Sequence, residues 1–203
     1  MSRSTERGGA TPPRRRADAE RSIERILDAA IDALATDQDA SMAEIARRAG
    51  VVRATIYVHF PTREALLDAV TDRALAEAAA VIAAAEPDRG DPADALRRVV
   101  RATWRTLGRY HALVAINTGA QPPEALRHRH GTVLQALAPL IERGQAAGAF
   151  RAHVPAAWHL SMLLALVHAA SAELRAGRVR EADAEDALVA SVLGAIGAAA
   201  LPE

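Results

Sequence analysis

Wherever apolar residues cluster in this chain, they fall at helical spacing. Ile23, Ile26, Leu27, Ala30, Ile31 and Leu34 form one stripe of an amphipathic helix, and Leu66, Leu67, Val70, Ala74 and Val81 form another. Composition points the same way, because 50 of the 203 residues are Ala and only 3% are aromatic. Ala is the best helix former and a poor strand residue. The expectation is an all-α fold of about nine helices. No run of 18 apolar residues occurs, so no membrane-spanning helix is expected. The N-terminus is polar and Arg-rich, without the apolar stretch of a secretory signal, and a cytoplasmic location follows as an expectation. Cys is absent, which excludes disulfides and thiolate chemistry.

Punctuation residues divide the chain. Residues 1–16 contain five Arg against one Glu, with Gly-Gly and Pro-Pro, and cannot bury a core. They read as a disordered basic arm, or equally as a solvated tail without a role. A helical segment from Ala17 ends at Thr36-Asp37-Gln38-Asp39. Ser41 and Glu44 then supply a capping box, with Ser41 as N-cap and Glu44 reaching back to it. Gly50 stops this second helix where a left-handed residue fits. A third short helix covers Arg53 to His59, and Pro61-Thr62 starts a fourth. Asp91-Pro92 opens the next helix. Stops at Gly119–Pro123, Gly144–Gly148 and Gly177 divide the rest into about five helices.

The second and third helices, joined by Gly50-Val51-Val52, have the spacing of a helix-turn-helix. In that motif the first helix crosses the phosphate backbone and the second enters the major groove. Ile56 and Phe60 then anchor the inner face, while Arg53, Ala54, Thr55 and Tyr57 form the outer set.

These residues carry a resemblance. The stretch SMAEIARRAGVVRATIYVHFPTREALLDAV is similar to the DNA-binding segment of the tetracycline-repressor (TetR) family of bacterial transcription regulators. The matching positions are Ile45-Ala46, Ala49-Gly50-Val51, Thr55, Tyr57, His59-Phe60, Arg63 and Leu66. A weaker echo lies in Leu140 to Gly148. The resemblance implies that Thr55, Tyr57 and His59 lie on the DNA side, with Thr55 and Tyr57 as phosphate contacts. Arg63 stands where a Lys usually meets the backbone. Ser41 sits at a helix N-terminus suited to a phosphate oxygen. Arg53 occupies the exposed first position of the recognition helix, and Ala54 follows it. Arg14, Arg15 and Arg16 of the arm complete the expected DNA-binding set. Two positions depart from the family pattern: Val52 replaces a frequent Ser cap, and Ala54 a frequent Gly.

Charge does not oppose this reading. The 25 basic residues, all Arg, balance 25 acids overall. Between Ser41 and Arg63, however, Arg47, Arg48, Arg53 and Arg63 face only Glu44, and phosphate binding depends on the local patch.

By the same resemblance, residues 17–70 form the DNA-binding domain, and residues 71–203 form a ligand-binding and dimerisation bundle. The bulky or polar residues Trp104, Tyr110, His111, Asn117, Trp158, Met162 and His168 are candidates for an effector pocket. The Ala-rich final helices supply a candidate dimer seam at Leu166, Ala170, Leu188, Val192 and Ala195, with an ordinary Ala-rich core as the alternative. The implied protein is a homodimeric repressor that reads a palindromic operator in double-stranded DNA. A small apolar or aromatic effector would release it. An activator or ligand-independent regulator of the same fold stays open, as does an all-α enzyme or ligand carrier. No cofactor, metal site or membrane partner is expected. His128 and His130 diverge on a helix and lack a carboxylate at ligand spacing. No nucleophile–base pair stands out.

Overall fold

The structure is a computed structural model that describes residues 13–111, 113 and 123–197, with side chains from Ala17 onward and not at Pro123. Nine α-helices occur among the described residues. They are α1 (Pro13–Thr36), α2 (Met42–Arg48), α3 (Arg53–His59), α4 (Arg63–Ala84), α5 (Pro92–Leu107), α6 (Pro123–Arg129), α7 (Gly131–Ala146), α8 (Ala156–Arg175) and α9 (Glu181–Ile196). A 3₁₀ turn at Gly108–Tyr110 follows α5.

α1 starts at Pro13, four residues before the expected start, so the basic arm does not extend to residue 16 as a non-helical segment. Pro13 presets φ at the first helical position, and Arg is a good helix former. The Arg14, Arg15 and Arg16 side chains lie outside the described residues, as does Asn117.

Two apolar cores organise the helices. In the first, Ile26, Ala30, Ile31 and Leu34 of α1 close over Ile45 and Ala46 of α2, Ile56 of α3, and Leu66 and Val70 of α4. In the second, Ile82 of α4 packs with Leu96 and Val99 of α5, Leu140 and Ile141 of α7, Leu163 of α8, and Leu188 and Val192 of α9. α4 belongs to both. Tyr110 and Leu113, just after α5, insert into the first core. Polar ties strengthen the junction. Arg73 of α4 reaches Glu24 at 3.2 Å and Asp28 at 3.0 Å on α1.

Gly144 does not stop α7, which runs on to Ala146. A β-carbon at Gly144 would stand 2.0 Å from Cδ2 of Phe150, so the glycine makes room for a fully buried ring. The turn comes at Gly148, with φ of +72°. Arg151 then caps α9, donating to the carbonyls of Ala195 (2.8 Å) and Gly194 (3.1 Å).

α8 is long and apolar enough to cross a membrane by length and composition. Within the fold it packs against α7 and α9 and buries Leu160, Leu163, His168 and Ser171.

Candidate DNA-reading surface and regulatory cavity

The DNA-reading surface begins at the α2–α3 turn. Ser41 caps α2 in extended conformation, its Oγ accepting from Glu44 N at 3.2 Å. The capping box is only half formed. The Glu44 carboxylate turns away to Arg47, whose Nε and Nη2 donate at 2.9 and 2.7 Å, and to Arg48 Nε at 2.8 Å. Two guanidinium partners outcompete one backbone amide. They hold the Glu44 carboxyl at about 2, the Arg47 bonds contributing most. The local positive excess counted from the sequence is thereby partly spent within α2.

Gly50 takes φ of +64°, the left-handed turn the spacing required. The α3 helix then begins at Val52, which is extended and makes no side-chain cap bond, as its apolar chemistry dictates. Ile56 is fully buried and Phe60 nearly so, which turns the opposite face outward. Arg53, Ala54 and Tyr57 are exposed there, with the Arg53 guanidinium 5.7 Å from the Tyr57 ring centre. Ser41 is exposed, whereas Thr55, His59 and Arg63 are half-buried. Arg63 donates to the Gln38 carbonyl, which ties the start of α4 to the loop before α2. Thr62 caps α4 by accepting from Ala65 N at 3.1 Å.

Two residues absent from the expected set stand on this surface. Val52 is 70% exposed and Val58 77% exposed. Helical spacing places Val58 one turn after Ala54, a signal present in the sequence. Their outward aliphatic groups suit thymine methyls in a major groove.

A partly open apolar cavity of about 80 Å³ lies in the bundle between residues of α4, α5, α7 and α8, and a smaller lobe of about 40 Å³ that shares part of its lining lies towards α6. Leu75, Leu107, His130 and His168 line both parts. Of the residues expected at an effector pocket, His168 lines both parts and Tyr110 the small lobe. Trp104, His111, Trp158 and Met162 do not line it. Trp104 stacks on His111, ring centres 4.5 Å apart, beside a cleft on another side of α5. His111 Nδ1 lies 3.0 Å from Ser171 Oγ. Trp158 is 62% exposed, and Met162 packs at the edge of the second core. The sequence singled out bulk and polarity but carried no information on which face of each helix turns inward.

His130 and Thr103 line the cavity and Arg129 its small lobe, and none was among the expected residues. The His130 and His168 rings meet edge to face at 5.3 Å. His130 Nδ1 lies 2.8 Å from the Leu126 carbonyl, which only accepts, so Nδ1 carries the proton. Burial lowers the pKa of both rings, that of His168 to about 4.

Of the residues expected at a dimer seam, Leu188 and Val192 are buried in the chain's own core, and Leu166, Ala170 and Ala195 are half-buried. The exposed residues of these helices include Trp158, Ala165 and Ala169 on α8, and Ala187, Ala190, Ser191 and Gly194 on α9.

An outward helix on a helix-turn-helix, joined through one shared helix to a hollow bundle, defines a DNA-binding transcriptional regulator. The family described as bacterial regulatory proteins, tetR family, matches residues 26–70. These residues run from α1 through the helix-turn-helix into α4, so the DNA-binding segment is similar to that family's. The chain is similar to the HTH-type transcriptional regulator NfxB of Pseudomonas aeruginosa, at 27% identity over 81% of this chain and 89% of that protein. It is also similar to the HTH-type transcriptional repressor LfrR of Mycolicibacterium smegmatis, at 41% identity over 40% of this chain and 43% of LfrR. The crystal structure of LfrR from Mycobacterium smegmatis in complex with proflavine superposes with a TM-score of 0.69. It is 28% identical and covers 86% of this chain and 96% of that one.

Proposed function

We propose that the protein is a homodimeric repressor that binds a palindromic operator through α3 and leaves it when a small apolar or aromatic molecule enters the bundle cavity. The observation that carries this reading is the continuity of α4. Its first turn follows the recognition helix, and its later residues Leu75, Ala78 and Ile82 line the cavity. A ligand that favours one setting of α4 therefore has a route to α3, provided it binds the two states with different free energy. The complex of LfrR with proflavine supports an aromatic class of effector for such a bundle.

Two recognition helices are needed to read two half-sites a helical turn or more apart. The small residues exposed on α8 and α9 suit close helix packing across a two-fold axis. Arg53 reads a base edge, Tyr57 and Thr55 hold phosphates, and Ser41, His59 and Arg63 border the contact. The site of action is the cytoplasm, where the operator DNA lies.

A selection of genomic fragments by the purified protein tests the reading, followed by fluorescence anisotropy across a salt series. A palindromic preference that weakens steeply with salt is expected. Arg53→Ala relaxes base preference by about 1–3 kcal/mol, while Tyr57→Ala weakens binding to all sequences. Absence of any sequence preference, or a monomer at micromolar concentration in light scattering, overturns it.

A further inference from the structure

The lining of the cavity is specific enough to define a ligand class. Around the large lobe, Leu, Val, Ile and Ala are interrupted only by Thr103, His130 and His168. The small lobe adds Thr71, Tyr110 and Arg129. No carboxylate lines either part among the described residues. A cation entering here would lose its hydration without gaining a counter-charge.

An anion fares no better. The single positive group, Arg129, is already neutralised by Asp68 at 2.6 Å and Asp72 at 3.2 Å, so a carboxylate entering here would add a third negative charge beside one guanidinium. Hydrogen-bonding atoms are nevertheless left over, among them Thr103 Oγ1 on the large lobe and Arg129 Nε on the small one, which are buried and make no hydrogen bond among the described residues. A buried donor without a partner is destabilised, so an oxygen atom that accepts from it gains affinity. Size gives a further limit, because a dry cavity of roughly 150 Å³ takes benzene.

We propose that this cavity takes an uncharged, mainly apolar molecule of about one ring bearing a single hydroxyl or carbonyl oxygen, and that it rejects cations and anions of the same size. The proposal rests on the effector reading above. It separates this protein from LfrR, since proflavine is a tricyclic cation at neutral pH.

Benzyl alcohol, benzylamine and benzoate are matched in size and differ in charge. Their binding to the full chain is measured at pH 7.5 by thermal shift and by titration. Benzyl alcohol is expected to raise the melting temperature and to bind at least about tenfold more tightly than either charged probe. Ala78→Leu, which fills the large lobe, abolishes the gain. Thr103→Val keeps the side-chain shape; it weakens benzyl alcohol severalfold and leaves toluene unchanged, so the test survives if Ala78→Leu does not fold. A charged probe that binds as tightly as benzyl alcohol overturns the ligand class and leaves the effector reading standing. Silence from all three probes overturns the ligand class, while the effector reading is tested separately by release from the operator. A gain that persists in a folded Ala78→Leu variant places the site elsewhere and overturns the proposal.

Discussion

Arg129 donates from Nη1 to Asp68 Oδ1 at 2.6 Å and from Nη2 to the Asp68 carbonyl at 3.0 Å. The contact joins the last residue of α6 to the second turn of α4, five residues after Arg63. Its neighbour His130 lines the cavity. The cavity wall and the helix that follows α3 thus meet at one guanidinium.

Removing that tie separates the two ends. Arg129→Gln is expected to leave operator affinity within a few fold while blunting its response to benzyl alcohol, read by anisotropy with and without the probe. The Asp side chains are largely exposed and rehydrate, so urea unfolding should register a loss of only about 1 kcal/mol. An unchanged response would show that α6 plays no part in the coupling.

Val52 has the extended geometry of an N-cap without a cap's chemistry. Val52→Ser should stabilise the protein by about 0.5–1 kcal/mol in chemical denaturation, and Ser41→Ala should cost about 1 kcal/mol. Equal midpoints for Val52→Ser and the parent would mean that the exposed valine gains something from packing that the cap does not replace.

The Gly144 contact makes a steric prediction. Gly144→Ala drives a methyl into the Phe150 ring and should destabilise by about 2 kcal/mol or more. Adding Phe150→Leu should recover part of the loss, although Phe150→Leu alone is destabilising. Additive losses in the double variant would count against the clash.

Acid sensitivity follows from His168. Its folded pKa is lowered by burial, and next by the neighbouring His130, from 6.5 to about 4. The unfolded chain therefore takes up a proton below about pH 6.5 while the folded chain does not. This contribution is intact above that pH and is lost as the pH falls towards about 4, at up to about 1.4 kcal/mol per unit. His130 shifts in the same direction. Unfolding free energies from urea titrations at pH 7.5 and 5.5 should differ by about 1 kcal/mol on this account, and His168→Gln should shrink the difference.

The α2–α3 unit was legible in the sequence because its determinants are local. Ser41 caps from three residues away, Gly50 supplies the left-handed turn, and Ile56 and Phe60 share one face by helical period. Half of the capping box was misread for an equally local reason, since Glu44 has Arg47 and Arg48 within one turn. Val58 was legible as well, on the same helical period that exposes Ala54. The cavity was not legible. His130 and Thr103 become pocket residues only when α4, α5, α7 and α8 assemble, and Trp158, an obvious candidate by chemistry, turns to the surface.

The seam shows the same division. Leu188 and Val192 carry the apolar period of α9, and that period alone cannot say whether a stripe faces its own bundle or a second chain. The fold assigns them to the bundle and leaves Ala190, Ser191 and Gly194 outside. Helix content, the turn and the reading head came from interactions within about four residues, which a linear sequence displays directly. The hollow bundle, the Arg129 link and the exposed face of α8 and α9 depend on which residues distant in sequence exclude water together, and packing in three dimensions sets that.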